Sequence, residues 1–305
     1  MNLQDSRSAS IHTVTAASDE LECLESHASA GGSYRRYRHS SAVLGCEMTF
    51  GIFLPPQAAH AQCPVVWWLS GLTCTDENFM QKAGAHRTAA ERGLIIVCPD
   101  TSPRGTNIEG ENDSPYVGTG AGFYVNATQE PWQSHYRMYD YVTEELPQLI
   151  QQNFLTSERA SIMGHSMGGL GALVCGLRLR HRYSAISAFA PMAHPSSAPW
   201  GQATLSAYLG NDPTLWADYD PCALAQEELS PADAVPILID QGDADPFLEE
   251  QLRVEDFNDV CQTYNYPLTL RYQAGYDHSY FFVASFIDEH LHHHADALFK
   301  EDDTH

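Results

Sequence analysis

Short apolar segments alternate with longer amphipathic ones along most of this 305-residue chain. Several of the short segments, such as residues 64–69 and 94–97, are apolar throughout instead of alternating with polar positions. Strands of this kind are covered on both faces, as in a parallel sheet between two layers of helices. The pattern predicts strands over residues 48–54, 65–70, 94–98, 160–163, 185–189, 236–240 and 268–272.

The longer segments between these strands have the spacing of apolar residues that is typical of helices. Pro147 should bend or divide one of them, because proline lacks the main-chain N–H that a helix interior needs. Alternating strands and helices indicate an α/β fold with a mostly parallel central sheet covered by helices on both faces. The predicted helices cover residues 77–92, 136–153, 168–180, 248–264 and 280–294.

The two ends of the chain differ in composition from its middle. Residues 1–18 are polar and show no clear period, so we expect a disordered N-terminal tail there. No repeat or long linker divides residues 19–295, which should form a single domain. Residues 296–305 should form a polar C-terminal tail.

The chain is strongly acidic, with 16 basic and 39 acidic residues and a formal net charge of −23. This charge argues against nucleic acid and against an anionic membrane surface as partners. We expect no secretory signal at the N-terminus, and no run of about 18 apolar residues suggests a membrane span. The eight cysteines lack a paired spacing, which favours reduced thiols in the cytoplasm.

Residues 164–168, Gly-His-Ser-Met-Gly, fit the Gly-x-Ser-x-Gly pattern of a nucleophile elbow. A β-prone segment precedes the motif and a helix-like segment follows it, which is the strand–turn–helix context that the α/β-hydrolase fold requires. In that turn the serine hydroxyl stands exposed beside a helix N-terminus. The motif therefore predicts Ser166 as a nucleophile, against the plainer alternative of a glycine-rich turn.

A serine hydroxyl needs a neighbouring base, and in this fold an acid and then a histidine follow the serine along the chain. His278 lies directly between the last predicted strand and the last predicted helix, where the base belongs. His165 is too close to the serine along the chain to bond it productively. Asp240, Asp243 and Asp245 all follow the preceding strand, and the sequence alone only slightly favours Asp245 over Asp243.

Several segments resemble the S-formylglutathione hydrolase family, also called esterase D, and the resemblance runs from about residue 34 to residue 287. Together these segments are more specific than the elbow alone. They are CEMTF at 46–50, LSGLTCT at 69–75, PDTSPRG at 99–105, GAGFY at 120–124, YRMY at 136–139, GHSMGG at 164–169, PWG at 199–201, DQG at 240–242 and GYDHSY at 275–280.

The resemblance implies hydrolysis of S-formylglutathione to formate and glutathione, a step of formaldehyde detoxification, through an acyl-enzyme intermediate. It selects Asp245 as the acid of the triad. It also implies a cytoplasmic enzyme without a metal or other cofactor, and a possible homodimer. The alternative is a general small-acyl carboxylesterase or thioesterase that uses the same triad; a catalytically dead binding module is disfavoured because all three triad residues are present.

Residues outside the triad are assigned from the same fold and resemblance. The main-chain N–H groups of Leu72 and Met167 should form the oxyanion hole. Cys74 resembles the cysteine that the family places beside the active site, and Trp200 and Tyr280 should form walls of the substrate pocket. Since the substrate is anionic, we expect a less acidic rim, supplied by Arg104.

Two further groups of residues qualify this interpretation. Pro115 and Tyr116 depart from the Ser-Trp-Asp expected of the family, in a loop expected near the mouth of the site. His290 and residues 292–294 are a possible metal-binding group, but a solvated helix end is the favoured interpretation.

Overall fold

A computed structural model of the chain describes residues 21–226, 230 and 234–300. The tail expected over residues 1–18 lies outside the described residues, as do the last five residues of the tail expected over 296–305. The described residues form an α/β structure around one nine-stranded sheet. The α/β architecture with a mostly parallel central sheet is therefore confirmed.

All seven predicted strands are present, and two further strands precede them. Along the sheet the strands lie in the order β1-β2-β3-β5-β4-β6-β7-β8-β9. The strands are β1 (Glu22–Ser29), β2 (Gly32–Ser41), β3 (Cys46–Leu54), β4 (Cys63–Leu69), β5 (Ile95–Pro99), β6 (Thr156–His165), β7 (Tyr183–Phe189), β8 (Ile237–Gly242) and β9 (Leu268–Gln273).

The sheet has an antiparallel part and a parallel part. Strands β1, β2, β3 and β5 pair antiparallel in succession. From β5 through β4, β6, β7 and β8 to β9 every pairing is parallel. The carboxyl ends of these parallel strands meet at one edge of the sheet, where ligands bind in open α/β sheets.

Helices cover both faces of the sheet. The longest is the last, and it extends four residues beyond its predicted end. The helices are α1 (Asn78–Lys82), α2 (His86–Arg92), α3 (Met138–Asp140), α4 (Leu146–Asn153), α5 (Met167–Arg178), α6 (Pro199–Leu209), α7 (Pro221–Leu224), α8 (Val254–Thr263) and α9 (Tyr280–Leu298).

Three predicted helices are divided in the structure. Gly84, with φ +74°, separates α1 from α2. A π-helical turn over Tyr141–Glu145 lies between α3 and α4, and Pro147 follows it in the first turn of α4. The main-chain oxygen of Thr143, four residues before the proline, accepts a hydrogen bond from Arg182 instead. Another π-helical turn, Leu248–Leu252, precedes α8, and Arg253 between them has φ 53°.

Two apolar clusters fill the space between the sheet and the helices. On one face Trp68, Phe189 and Met163 pack with side chains of α1, α2 and α9. On the other face Trp67 and Ile162 pack with side chains of α4, α5 and α6. Because β4 and β6 are covered by apolar side chains on both faces, their sequences are continuous apolar runs.

The histidines near the end of α9 are not all solvated, so that expectation is wrong for two of them. His290 and His294 are fully buried against the sheet, because α9 lies along it with this face inward. The Ser187 Oγ lies 2.8 Å from Nδ1 of His290 and 2.8 Å from Nε2 of His294. His292 is exposed. The buried pair thus contacts Ser187 of the neighbouring strand β7.

Two coarse features complete the fold. Among the described residues, no helix combines the length and the apolar character that a membrane crossing requires. All eight cysteines lie in the described part of the chain, and none is bonded to another.

Candidate active site

The turn between β6 and α5 holds Ser166 in a conformation that few side chains adopt. Its φ of 58° and ψ of −119° put the residue on a sharp, strained turn between the strand and the helix. A Cβ at Gly168 would lie 1.9 Å from the main-chain oxygen of Leu69, and a Cβ at Gly164 would lie 2.2 Å from that of Gly168. The two glycines of the motif therefore allow the close packing that the turn requires.

The structure brings His278 to this serine from the loop between β9 and α9. The Nε2 atom of His278 lies 2.8 Å from the Ser166 Oγ. The His278 side chain is 17% exposed, so it borders the solvent without being free in it. This is the position in which an imidazole can take the proton of the hydroxyl.

The carboxylate of Asp245 lies on the other side of the same imidazole. Its Oδ2 is 2.5 Å from Nδ1 of His278, and its Oδ1 accepts a hydrogen bond from the main-chain N–H of Phe247 at 2.9 Å. Asp243 instead accepts from the main-chain N–H of Gly275. Of the three aspartates considered in the sequence, the structure places Asp245 in contact with His278.

Close approach of two main-chain segments fixes this geometry. A Cβ at Gly242 would lie 2.2 Å from the main-chain oxygen of Tyr276, so only glycine lets the two loops meet here. The N–H of Ala244 donates to that same oxygen at 3.0 Å. The loop that carries Asp245 is thus bonded directly to the loop that carries His278.

The Asp240 carboxylate has a different role. It accepts hydrogen bonds from Arg271 at 2.6 Å, and Nε2 of His290 lies 3.2 Å from it. Burial raises the pKa of Asp240, but the bonds from His290 and Arg271 outweigh burial and lower the pKa to about 2. Asp240 therefore links its own strand, β8, to β9 and α9, and it makes no contact with Ser166.

His165 packs beside the base, with 4.6 Å between the ring centroids of His165 and His278. Burial lowers the pKa of His165 well below its ordinary value, and the neighbouring His278 lowers it further. A neutral imidazole is therefore placed against the base. His165 itself makes no hydrogen bond to the serine hydroxyl.

Two main-chain N–H groups are available beside Ser166. A Cβ at Gly71 would lie 3.2 Å from the Ser166 Cβ, so the loop after β4 passes directly over the serine. In that loop the N–H groups of Thr73 and Cys74 are bonded within the protein. Those of Leu72 and Met167 donate to no acceptor within the described part of the chain.

A cavity of about 410 Å³ opens in front of Ser166. Its lining includes Cys74, Trp200 and Tyr280, as expected from the sequence, together with Leu72. Met167 is fully buried behind the serine and does not line the cavity with its side chain.

Two aromatic residues of the cavity were not identified as walls from the sequence. The ring of Tyr116 stacks on that of Trp200 with 5.0 Å between the ring centroids, and the centroid of the Phe247 ring lies 4.9 Å from that of Trp200. Phe247 also meets the His278 ring edge-on at 5.1 Å. For Tyr116 the sequence did contain a signal, because this residue departs from the pattern expected of the family in a loop expected near the mouth of the site.

Cys74 is a half-buried thiol on the cavity wall. Burial raises its pKa, while the positive charge of Lys82 and a contact with Tyr280 act in the opposite direction. The net shift is upward, so the thiol stays protonated and is a weaker nucleophile than an activated cysteine.

One group of side chains in the described residues has the spacing of metal ligands, namely His194, Asp220 and Cys222, whose ligand atoms lie within 4.8 Å of one another. Both ring nitrogens of His194 already have protein partners, Asp256 and Ser197. Asp220 caps α7 by accepting from its first N–H groups. The Cys222 thiol donates to the main-chain oxygen of Ala193 at 3.4 Å, so each of the three side chains has a protein partner outside the group.

The arrangement suits nucleophilic acyl transfer. A carboxylate, an imidazole and a hydroxyl form one hydrogen-bonded line, and two main-chain N–H groups without an acceptor among the described residues lie beside the hydroxyl. Such a line activates the serine oxygen, and such N–H groups stabilise negative charge on a carbonyl oxygen that the serine attacks.

The chain is similar to known esterases over most of its length. Residues 41–293 match the family model described as "Putative esterase". An S-formylglutathione hydrolase from Agrobacterium tumefaciens is 48% identical, with a TM-score of 0.86, and the match covers 90% of this chain and 99% of that one.

More distant solved structures share the fold. An S-formylglutathione hydrolase from Staphylococcus aureus is 19% identical with a TM-score of 0.67, over 87% of this chain and 99% of that one. A ferulic acid esterase from Anaeromyces mucronatus is 18% identical with a TM-score of 0.63, over 97% of this chain and 100% of that one. Together with the mostly parallel sheet, these matches confirm the α/β-hydrolase fold.

Proposed function

The chain belongs to the S-formylglutathione hydrolase family of esterases and is a hydrolase of esters or thioesters, and from this premise we propose that it hydrolyses S-formylglutathione to formate and glutathione. The observation that carries the proposal is the hydrogen-bonded line from Asp245 through His278 to Ser166 at the base of the cavity. In the cell this reaction would remove the thioester that forms from formaldehyde and glutathione after oxidation.

In the first half of the proposed reaction, Ser166 Oγ attacks the formyl carbonyl carbon while Nε2 of His278 takes its proton. Asp245 holds the imidazole in the required tautomer and stabilises the imidazolium that forms. The carbonyl oxygen becomes negative and is held by the N–H groups of Leu72 and Met167. Each such donor typically contributes about 3 kcal/mol to lowering the barrier.

Collapse of this intermediate breaks the carbon–sulfur bond. Glutathione leaves as the thiol after the sulfur receives the proton from His278, and Ser166 keeps the formyl group as an ester. Water then loses a proton to His278 and attacks the same carbon. The serine oxygen leaves with that proton, formate is released, and the free enzyme is restored.

The walls of the cavity support a preference for a small acyl group. Trp200 and Tyr280 are bulky side chains near the serine, and Phe247 closes the space beside the base. A thiolate leaves more readily than an alkoxide, so a thioester demands less help from a general acid. A formyl thioester has both a small acyl group and a thiolate leaving group.

A general small-acyl carboxylesterase or thioesterase is the second candidate. The observation that favours it is the aromatic wall of Tyr116, Trp200 and Phe247, since an aromatic surface accepts acyl groups of different sizes and shapes. A tight acyl pocket should exclude each added methylene at a cost of about 1–3 kcal/mol.

The acyl series separates the two candidates. We would measure kcat/KM for the formyl, acetyl and butyryl thioesters of glutathione under identical conditions. The proposed function predicts a steep fall, by about 100-fold or more from formyl to butyryl. Similar values for the three acyl groups would favour the general esterase.

A further inference from the structure

The substrate proposed above poses an electrostatic problem, and the following inference rests on that proposed function. Glutathione carries two carboxylates and one ammonium group near neutral pH, so its thioester is a net anion. The protein has a formal net charge of −23. Long-range repulsion therefore opposes binding, unless a local positive charge lies beside the cavity.

Arg104, the residue expected to supply this charge, is already neutralised. Its guanidinium makes two hydrogen bonds of 2.8 Å to the carboxylate of Asp100 and one of 3.1 Å to the main-chain oxygen of Cys74. Its positive charge is therefore paired with Asp100, and its bond to Cys74 supports the loop after β4. Binding of the anionic substrate therefore requires another positively charged side chain at the rim of the cavity.

Lys82 is such a cation. It is the last residue of α1 and is exposed, with its Nζ 5.7 Å from the centre of the Tyr280 ring that lines the cavity. Within the described ranges no carboxylate lies at ion-pair distance from it, whereas Arg36 and Arg104 are both paired with buried aspartates.

The local fold fixes α1 beside the site. Phe79 is fully buried, and its ring stacks on Trp68 of β4 at 3.8 Å between centroids. The side chain of Asn78 accepts the main-chain N–H of Thr75 at 2.8 Å, which ties the start of the helix to the loop that carries Leu72. The loop over the serine thus leads directly to the lysine.

The position of the other lysine makes Lys82 distinctive. The chain has only two lysines, and Lys300 follows the far end of α9. That helix has 19 residues and starts at the cavity with Tyr280, so its ends are about 28 Å apart. The charge of Lys82, in contrast, reaches the cavity wall, where it acts on the thiol of Cys74.

We propose that Lys82 binds a carboxylate of the glutathione part of the substrate and that the tripeptide lies along the wall formed by Cys74 and Tyr280. The other wall, formed by Tyr116, Trp200 and Phe247, offers no cation. The acyl group points toward Ser166, and the carboxylate of the glutathione part remains at the rim of the cavity, within reach of the Lys82 side chain. Lys82 is thus a specificity-determining residue for the thiol side.

The test compares an anionic and a neutral substrate. We would measure kcat/KM for S-formylglutathione and for p-nitrophenyl acetate with the wild type, Lys82→Ala and Lys82→Arg. The ratio of the two values should fall about tenfold in Lys82→Ala, as expected of one charge-assisted contact at an exposed rim, and Lys82→Arg should restore most of it. The tenfold loss should shrink as salt screens the contact.

Arg87→Ala is the matched control. Arg87 is exposed on the neighbouring helix α2 and makes no ion pair among the described residues, so its removal changes the net charge equally. The ratio should stay within about twofold of the wild type if the effect of Lys82 is local. An equal fall in both variants would mean that only bulk charge matters, and an unchanged ratio in Lys82→Ala would overturn the inference directly.

A second readout separates this inference from the proposed function. Glutathione itself should inhibit hydrolysis of p-nitrophenyl acetate competitively, and its inhibition constant should rise about tenfold in Lys82→Ala. If the wild type did not hydrolyse S-formylglutathione, the proposed function would fail, and this inhibition constant would still decide the role of Lys82. Equal constants in the wild type and Lys82→Ala would overturn that role.

Discussion

Asp245 Oδ2 lies 2.5 Å from Nδ1 of His278, and the carboxylate is completely buried behind that ring. A buried carboxylate in this position fixes which ring nitrogen carries the proton and so leaves Nε2 free for the serine. Asp243, only two residues earlier, is turned toward Gly275 and cannot do this. The difference between the two aspartates makes the assignment testable.

Replacing the acid should be far more damaging than replacing its neighbour. Ser166→Ala should reduce kcat by about 10⁶-fold, because it removes the nucleophile, and Asp245→Asn by about 10⁴-fold, because the asparagine favours the wrong tautomer of His278. Asp243→Asn should cost less than about tenfold, because the asparagine oxygen can still accept from the main-chain N–H of Gly275 and only an exposed charge is lost. Steady-state kinetics with p-nitrophenyl acetate would check all three, and a larger loss in Asp243→Asn than in Asp245→Asn would refute the assignment.

The parallel part of the fold could be predicted from the sequence because its strands are apolar on both faces. The first two strands could not. β1 pairs only with β2 at the edge of the sheet, and most of its residues are exposed, so Glu22–Ser29 shows no apolar run. Helix α6, Pro199–Leu209, was also missed, because the first half of its buried face consists of Gly201 and Thr204 and only the second half, Leu205, Tyr208 and Leu209, is apolar.

The site was predictable where one short motif or the order along the chain defines it. Ser166 and His278 follow from the elbow and from the loop after the last strand. Trp200 was expected as a wall of the pocket, but Tyr116, Phe247 and Lys82 were not identified, because separate segments of the chain carry them and only packing brings them to the cavity. The burial of His290 and His294 was missed for the same reason, since the sequence does not reveal that this face of α9 meets Ser187.

Acid should destabilise the fold in two stages. Burial lowers the pKa of His290 and of His294 in the folded state. The unfolded chain therefore binds more protons as the pH falls through about 6.5, and the free energy of unfolding decreases there. A second loss should follow as the pH falls from about 4 toward 2, where the unfolded state protonates Asp240 before the folded state, in which its pKa is about 2.

Urea unfolding between pH 8 and pH 4 would measure the first stage. His294→Gln should reduce the dependence on pH, whereas the exposed His292→Gln should leave it unchanged, which makes the second variant the control. A free energy of unfolding that stayed constant between pH 7 and pH 5 in the wild type would contradict this account of α9.

Activity should not depend on a bound metal ion. The proposed chemistry needs only the triad and two N–H groups, and the His194, Asp220 and Cys222 group is bonded within the protein. Prolonged dialysis against EDTA should leave kcat/KM for p-nitrophenyl acetate within about twofold of the untreated value. Loss of activity that zinc or another divalent ion restored would show that a metal has a role.

The most direct test of the central claim is the hydrolysis of S-formylglutathione itself. The purified protein would be given S-formylglutathione and p-nitrophenyl acetate in parallel, with loss of the thioester followed by ultraviolet absorbance and formate identified by proton NMR. The account predicts stoichiometric formate and glutathione, a kcat/KM at least about 100-fold above that for the ester, and no turnover above background with Ser166→Ala. A kcat/KM for S-formylglutathione equal to or below that for p-nitrophenyl acetate would contradict it.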